Sequence, residues 1–183
     1  GEAIDGDIIE GEEMITKSPK KIKKLFYKEE PHILNEVIEA INEADLILLS
    51  MGSLYTSLFP NLLAKKLIKA LDKTKAPIMY VCNIVTQPGE TDNFTVSDHV
   101  NLINQYLGTH KLDVVIASNS PISQEMAEKY ASEERKDPVK IDYAVLKSLD
   151  VEFIEADLLT IADNTLKHHS QKLSSLIFSY LMR

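Results

Sequence analysis

The sequence predicts an α/β fold on a mostly parallel sheet, and three observations carry that prediction. Short apolar runs alternate with longer amphipathic segments, the order expected of successive βα units. The runs in Asp45–Leu49, Ile78–Val81 and Val114–Ala117 are continuous in apolar residues, as in strands covered by helices on both faces. The first of them leads through Gly52-Ser53-Leu54-Tyr55-Thr56-Ser57 into a segment opened by Pro60, which is a strand, a glycine-containing loop and a helix in that order.

The remaining elements follow from period and punctuation. Asp7–Glu10 and Lys21–Tyr27, set off by Gly6, Gly11 and Pro19, read as two edge strands or an entry hairpin. After Pro31, residues Ile33, Leu34, Val37, Ile38 and Ile41 give a helix with one buried stripe. The helix from Pro60 carries Leu62, Leu63, Leu67, Ile68 and Leu71 inward. Thr95 and Asp98 have the spacing of a capping box, starting a helix that buries Val100, Ile103 and Leu107 and that Gly108 can close. Ser120-Pro121 is read as a helix start, Val139 and Ile141 as a short strand, Val151–Ile154 as a further strand, and Thr165 onward as a terminal amphipathic helix. The chain carries no internal repeat, and residues 1–183 read as a single α/β domain.

Composition narrows the function classes. The 183 residues hold 20 Lys plus Arg against 28 Asp plus Glu, a net charge of −8, so the summed field repels polyanions and disfavours a nucleic-acid partner. The single cysteine, Cys82, cannot make an internal disulfide, which suits a reducing cytosol. No apolar run approaches the ~18 residues needed to cross a bilayer, and membrane insertion is not expected. Lys17, Lys20, Lys21, Lys23 and Lys24 read as a solvated face, and Cys82 reads as a small buried hydrophobe with no base beside it.

Two loops can carry chemistry, because open α/β sheets bind ligands beyond the carboxyl ends of their strands. In Gly52–Ser57, the glycine permits close backbone approach, and three hydroxyls with a helix N-terminus suit a phosphate. Without a lysine it is not a nucleoside-triphosphate loop, and the same groups also suit a capped turn that satisfies its own amides. The second loop, Asn83–Asp92 and on to Phe94, is long for a compact fold. Its Glu90 and Asp92, with Asp98, suit a hard divalent cation or a general base, or alternatively the capping of backbone amides around a Pro88-Gly89 turn. His99, beside Asp98, is placed either to donate to a phosphate or on the surface.

The order and wording of these segments closely resemble the bacterial gluconeogenesis factor family, also called YvcK-like, a branch of the 2-phospho-L-lactate transferase (CofD) superfamily. The resemblance rests on Ala44–Leu49, Gly52–Ser57 and Pro60–Leu63, then Tyr80–Asn83, Thr86–Asp92 and Ser97–His99. It implies a Rossmann-like three-layer arrangement that lacks the family's N-terminal nucleotide-binding half, with its glycine-rich loop. It also implies a cytoplasmic binder of UDP-N-acetylglucosamine or a related nucleotide diphosphate, linked to carbon metabolism, cell-wall synthesis and cell shape. Cell-wall or metabolic proteins are the implied partners, with self-association a further expectation.

The ligand residues implied are Gly52, Ser53, Leu54, Tyr55, Thr56, Ser57, Asn83, Thr86, Gln87, Glu90, Thr91, Asp92, His99, Tyr130 and Lys167. The alternative is a magnesium-dependent phosphotransferase similar to the superfamily's transferases, with Asp92 and Asp98 as metal ligands. Three positions depart from the family pattern: Ser50-Met51 replaces Gly-Pro, Asn93-Phe94 replaces Gly-Tyr, and Lys167 stands where arginine is usual. A lysine cannot offer a diphosphate the bidentate fork of a guanidinium.

Overall fold

A computed structural model describes residues 1–183. An N-terminal arm holds strand β1 (Glu2–Ala3), helix α1 (Glu12–Lys17) and strand β2 (Ile22–Lys24). Helix α2 (Asn35–Glu43) leads into β3 (Ile47–Leu49), followed by a π-helical segment (Leu54–Leu58), α3 (Phe59–Leu62) and α4 (Lys65–Leu71). Next come β4 (Ile78–Val81), α5 (Val96–Tyr106), β5 (Val114–Ser118), α6 (Gln124–Lys129), a second π-helical segment (Tyr130–Glu134) and α7 (Tyr143–Leu146). The chain finishes with β6 (Glu152–Ala156), β7 (Leu159–Ala162), β8 (Thr165–His168) and α8 (Ser170–Leu181).

Strands β3-β4-β5-β6 form one sheet in that order, every pair parallel. This is the α/β architecture expected from the continuous apolar runs. One face, with Ile78, Tyr80, Cys82 and Val115, packs on Leu71, Val100, Ile103 and Leu146 from the connecting helices. The other, with Met79, Val81, Val114 and Ile116, packs on Leu158 and on Leu173 of α8. Helices therefore lie on both faces, and β4 and β5 are buried in both directions.

Several local expectations are corrected. Asp7–Glu10 is not a strand; only Ile8 makes a bridge, to Glu2, while the unexpected α1 places Glu12 and Glu13 in its first turn and Lys17 in its last, the arrangement its dipole favours. The helix from Pro60 is broken. Ala64 turns extended, and the Lys65 amide that restarts the helix donates to the Glu30 carboxylate at 3.0 Å, a cap 35 residues away that no local pattern reveals. The helix expected at Ser120 begins at Gln124 behind the Ser123 cap. Val139 and Ile141 make no strand; the segment is held by isolated bridges, Val85 to Pro138 and Thr95 to Lys140. Thr165 starts a strand rather than a helix. Asp163 and Asn164, at φ 51° and 57°, turn β7 into β8 as a two-residue hairpin of the kind that needs two left-handed positions.

The Thr95–Asp98 capping box forms as expected. Gly108 acts differently: a Cβ there would lie 2.4 Å from Asp72 Oδ1, so its role is to admit the carboxylate that accepts from the Thr109 amide at 2.5 Å.

Candidate functional site

The two loops singled out in the sequence leave adjacent parallel strands, β3 and β4, and fold onto each other. The Asn83 side chain ties them at the root. Its Nδ2 donates to Met51 O at 3.0 Å and Gly52 O at 3.3 Å, and its Oδ1 accepts from the Tyr80 hydroxyl at 2.8 Å. Further out, the Ser53 hydroxyl and the Tyr55 amide both donate to Glu90 Oε2. Ser53 also caps the π-helical segment, accepting from the Thr56 amide at 3.1 Å and the Thr56 hydroxyl at 2.8 Å. Gly52 is required here by its neighbour: a Cβ would come 2.9 Å from Ser57 Cβ.

The second loop is braced internally. Thr91 Oγ1 accepts from the Gln87 amide at 2.8 Å, and Asp92 Oδ2 from the Gly89 amide at 3.0 Å. Gly89 sits at φ 78° and its carbonyl accepts from Ile22 N, so the Pro88-Gly89 turn also anchors the N-terminal arm. Thr86 exchanges two hydrogen bonds with the Asp137 backbone, at 2.8 and 2.9 Å. Asp142 accepts from the Ser97 amide at 3.1 Å and from the Ser97 hydroxyl.

Beside these loops, at the carboxyl ends of β4 and β5, opens a crevice of about 180 Å³. Asn83, Ile84 and Val96 form one wall, Ala117, Ser118, Ser120 and Ile122 another, and Pro138, Val139 and Leu159 close it. Hairpin β7–β8 forms its outer edge and is pinned twice: the Leu166 amide donates to the Tyr130 hydroxyl at 2.8 Å, and His168 Nε2 lies 3.1 Å from Cys82 O.

Burial sets the titration behaviour. It raises the Glu90 carboxyl above the usual range against the pull of Ser53 and Tyr55, and it lowers His99 and His168. The Tyr55 hydroxyl is pushed up to about 12 by burial, with Tyr106 and Glu90 adding to it. Burial likewise pushes the Cys82 thiol to about 12, so it is no ready nucleophile. Burial opposes ionisation of Asp142, but the Ser97 and Thr95 hydrogen bonds outweigh it and hold its pKa low.

The sequence-derived residues thus separate by role. Asn83 borders the crevice. Gly52, Ser53, Glu90, Gln87, Thr86, Thr91 and Ser57 shape the two loops. Leu54 and Tyr55 are core residues, at 1% and 5% exposure, and Tyr55 packs edge-on against Phe59. Tyr55 and Thr56 border a different cleft, of about 370 Å³, shared with the N-terminal arm. His99 is not on the surface: it is fully buried between Tyr80 and Phe94, with Nδ1 2.8 Å from Thr95 O and Nε2 without a partner. Tyr130 is buried and supports the hairpin, while Lys167 is half-exposed, 3.9 Å from Asp163. The two expected metal ligands each serve a backbone amide and do not gather into a larger set. Asp92 caps Gly89 and Asp98 caps Thr95, and no group of three or more His, Cys, Asp and Glu side chains gathers as a metal set. Sequence reasoning missed Ser118, Ser120 and Leu159, although Ser118 and Ser120 follow the β5 run as directly as Asn83 follows β4.

Residues 2–159 match the family described as 2-phospho-L-lactate transferase CofD. The chain belongs to the CofD family. Within it, the gluconeogenesis factor of Bacillus subtilis is 37% identical over 181 residues, covering 98% of this chain and 57% of that protein. The gluconeogenesis factor of Halalkalibacterium halodurans is 40% identical over 178 residues, covering 97% of this chain and 55% of its own. A crystal structure of a UPF0052 family member from Bacillus halodurans aligns with TM-score 0.91 at 40% identity, over 97% of this chain and 57% of that one. The chain spans about half the length of the curated relatives it matches, and corresponds to their C-terminal part.

Proposed function

We propose that this CofD-family chain is the C-terminal part of a nucleotide-sugar binding protein of the gluconeogenesis factor type, and that its ligand is UDP-N-acetylglucosamine. The observation that carries this reading is the joining of two motif loops at the carboxyl edge of a parallel sheet, through Asn83 and Glu90, beside a crevice of about 180 Å³. Open α/β sheets take nucleotides at that edge. The crevice mixes apolar walls with a few convergent polar groups, Asn83, Ser118 and Ser120, the pattern of a small-ligand site. Ligand binding then regulates cytoplasmic partners in carbon metabolism, wall synthesis and cell shape. No helix is long and apolar enough to cross a membrane.

A magnesium-dependent phosphotransferase is the second reading, favoured by the family's description. On that reading Asp92 and Asp98 would hold the metal, each with one oxygen already accepting from a backbone amide, and the ion would supply Lewis-acid stabilisation of a diphosphate. Calorimetric titration with UDP-N-acetylglucosamine tests the binding reading. Saturable heat, weakened by Asn83→Ala, supports it; heat equal to dilution refutes it.

A further inference from the structure

We infer that the cleft between the N-terminal arm and the first π-helical segment is a ligand site separate from the crevice, built for an uncharged, largely apolar small molecule with a carbonyl oxygen at its inner end. The cleft measures about 370 Å³ against about 180 Å³ for the crevice, within the range of roughly 300–1,000 Å³ usual for small-molecule sites. Its lining joins Ile8, Ile15 and Phe26 of the arm to Pro60 and Leu63. Ile8 is 62% exposed and Phe26 47%. These large apolar side chains stand open around one concavity instead of singly on a convex surface, as at a binding groove.

One polar atom sets the ligand's chemistry. Tyr55, carried by a π-helical turn of the kind frequent at functional sites, is the least exposed residue of the lining, at 5%. Its amide donates to Glu90, but its hydroxyl makes no hydrogen bond within the chain. The neighbouring polar groups are engaged: the Tyr27 hydroxyl donates to Pro60 O and the Thr56 hydroxyl to Ser53 Oγ, each at 2.8 Å, and Lys28 pairs with Glu10. Buried hydroxyls are ordinarily paired, and an unpaired one costs stability that an incoming acceptor recovers. The Tyr55 hydroxyl therefore calls for an acceptor oxygen supplied from the cleft. A charged acceptor is disfavoured. Glu90 already opposes negative charge at this hydroxyl, and Glu10 and Glu12 outnumber Lys28 in the lining, so a carboxylate or phosphate meets like charge on both sides. A carbonyl brings the acceptor without the charge.

The site stands whichever ligand the crevice takes. The probe for it is 6-propionyl-2-(dimethylamino)naphthalene, an uncharged ketone whose emission moves to the blue in apolar surroundings; the chain has no tryptophan to interfere. The expected result is saturable binding of one probe per chain with blue-shifted emission. 2-Acetonaphthone should displace it about fivefold better than 2-ethylnaphthalene, which lacks the oxygen, and about tenfold better than 2-naphthoate, which is charged. Tyr55→Phe removes the hydroxyl alone. It should weaken 2-acetonaphthone about fivefold, leave 2-ethylnaphthalene unchanged and not lower Tm, since the hydroxyl bonds nothing in the free chain. Phe26→Asp, at an exposed position, should abolish probe binding with the circular dichroism of the chain unaltered. Absence of saturable binding overturns the proposal, as does binding indifferent to both substitutions or 2-naphthoate binding as tightly as the ketone. So does dimeric elution of the chain that Phe26→Asp converts to monomer, which assigns the surface to a second copy.

Discussion

Replacing Glu90 separates a structural carboxylate from a charged one. Its Oε2 accepts from the Ser53 hydroxyl and, at 3.3 Å, from the Tyr55 amide, in a position where burial raises its pKa. Hydrogen bonds to a charged group contribute roughly 1.5–3 kcal/mol each, but the Tyr55 contact is long and Ser53 keeps its bonds to Thr56. Glu90→Ala is therefore expected to cost about 2 kcal/mol, or about 4–8 °C in Tm for a chain of this size. Glu90→Gln retains an acceptor oxygen and loses the charge, so it should cost much less. The pH dependence follows from the raised folded pKa: the folded state binds the Glu90 proton more tightly than the unfolded state. Its contribution is fully favourable below the unfolded carboxylate pKa and declines as pH rises through the folded value. Urea denaturation at pH 4.5 and pH 7.5 checks this, with Glu90→Gln gaining on wild type as pH rises. Glu90→Ala within 0.5 kcal/mol of wild type, or Glu90→Gln as damaging as alanine, would refute the reasoning.

Three further outcomes follow from the same geometry. Asp142→Asn should cost about 1–2 kcal/mol at neutral pH, as expected for loss of charged capping bonds; because the folded pKa of Asp142 is depressed, the gap from wild type should close in acid, as a pH series of thermal melts would reveal. Asn83→Ala removes three hydrogen bonds and should weaken UDP-N-acetylglucosamine binding by more than about tenfold, given ~1.4 kcal/mol per decade, measured by calorimetry. Gly89→Ala forces φ 78° on a side chain whose Cβ meets Lys20 O at 3.2 Å, at a cost of roughly 1–3 kcal/mol; faster hydrogen exchange at Ile22 is the accompanying sign.

The fold was legible where the signal is local. Continuous runs such as Ile78–Val81 identify a two-sided strand, and Thr95 with Asp98 identifies a helix start. It was illegible where distant groups decide. Glu30 restarts a helix at Lys65, and the Asp163-Asn164 turn contains no glycine to mark it. The site divides in the same way. The loops after β3 and β4 lie where the strand ends place them, but their polar side chains are largely engaged within the loops, the Ser53 hydroxyl by Glu90 and the Thr91 hydroxyl by the Gln87 amide. Which polar groups remain free for a ligand depends on that pairing, which spacing alone does not encode. His99 illustrates the limit: a polar residue beside Asp98 becomes fully buried because Tyr80 and Phe94 flank it.

Amide chemical-shift mapping during addition of UDP-N-acetylglucosamine tests the binding crevice most directly. Saturable shifts centred on Asn83, Ser118, Ser120 and Val139 are the predicted result. An unchanged spectrum, or shifts confined to the cleft around Tyr55 and the N-terminal arm, would contradict it.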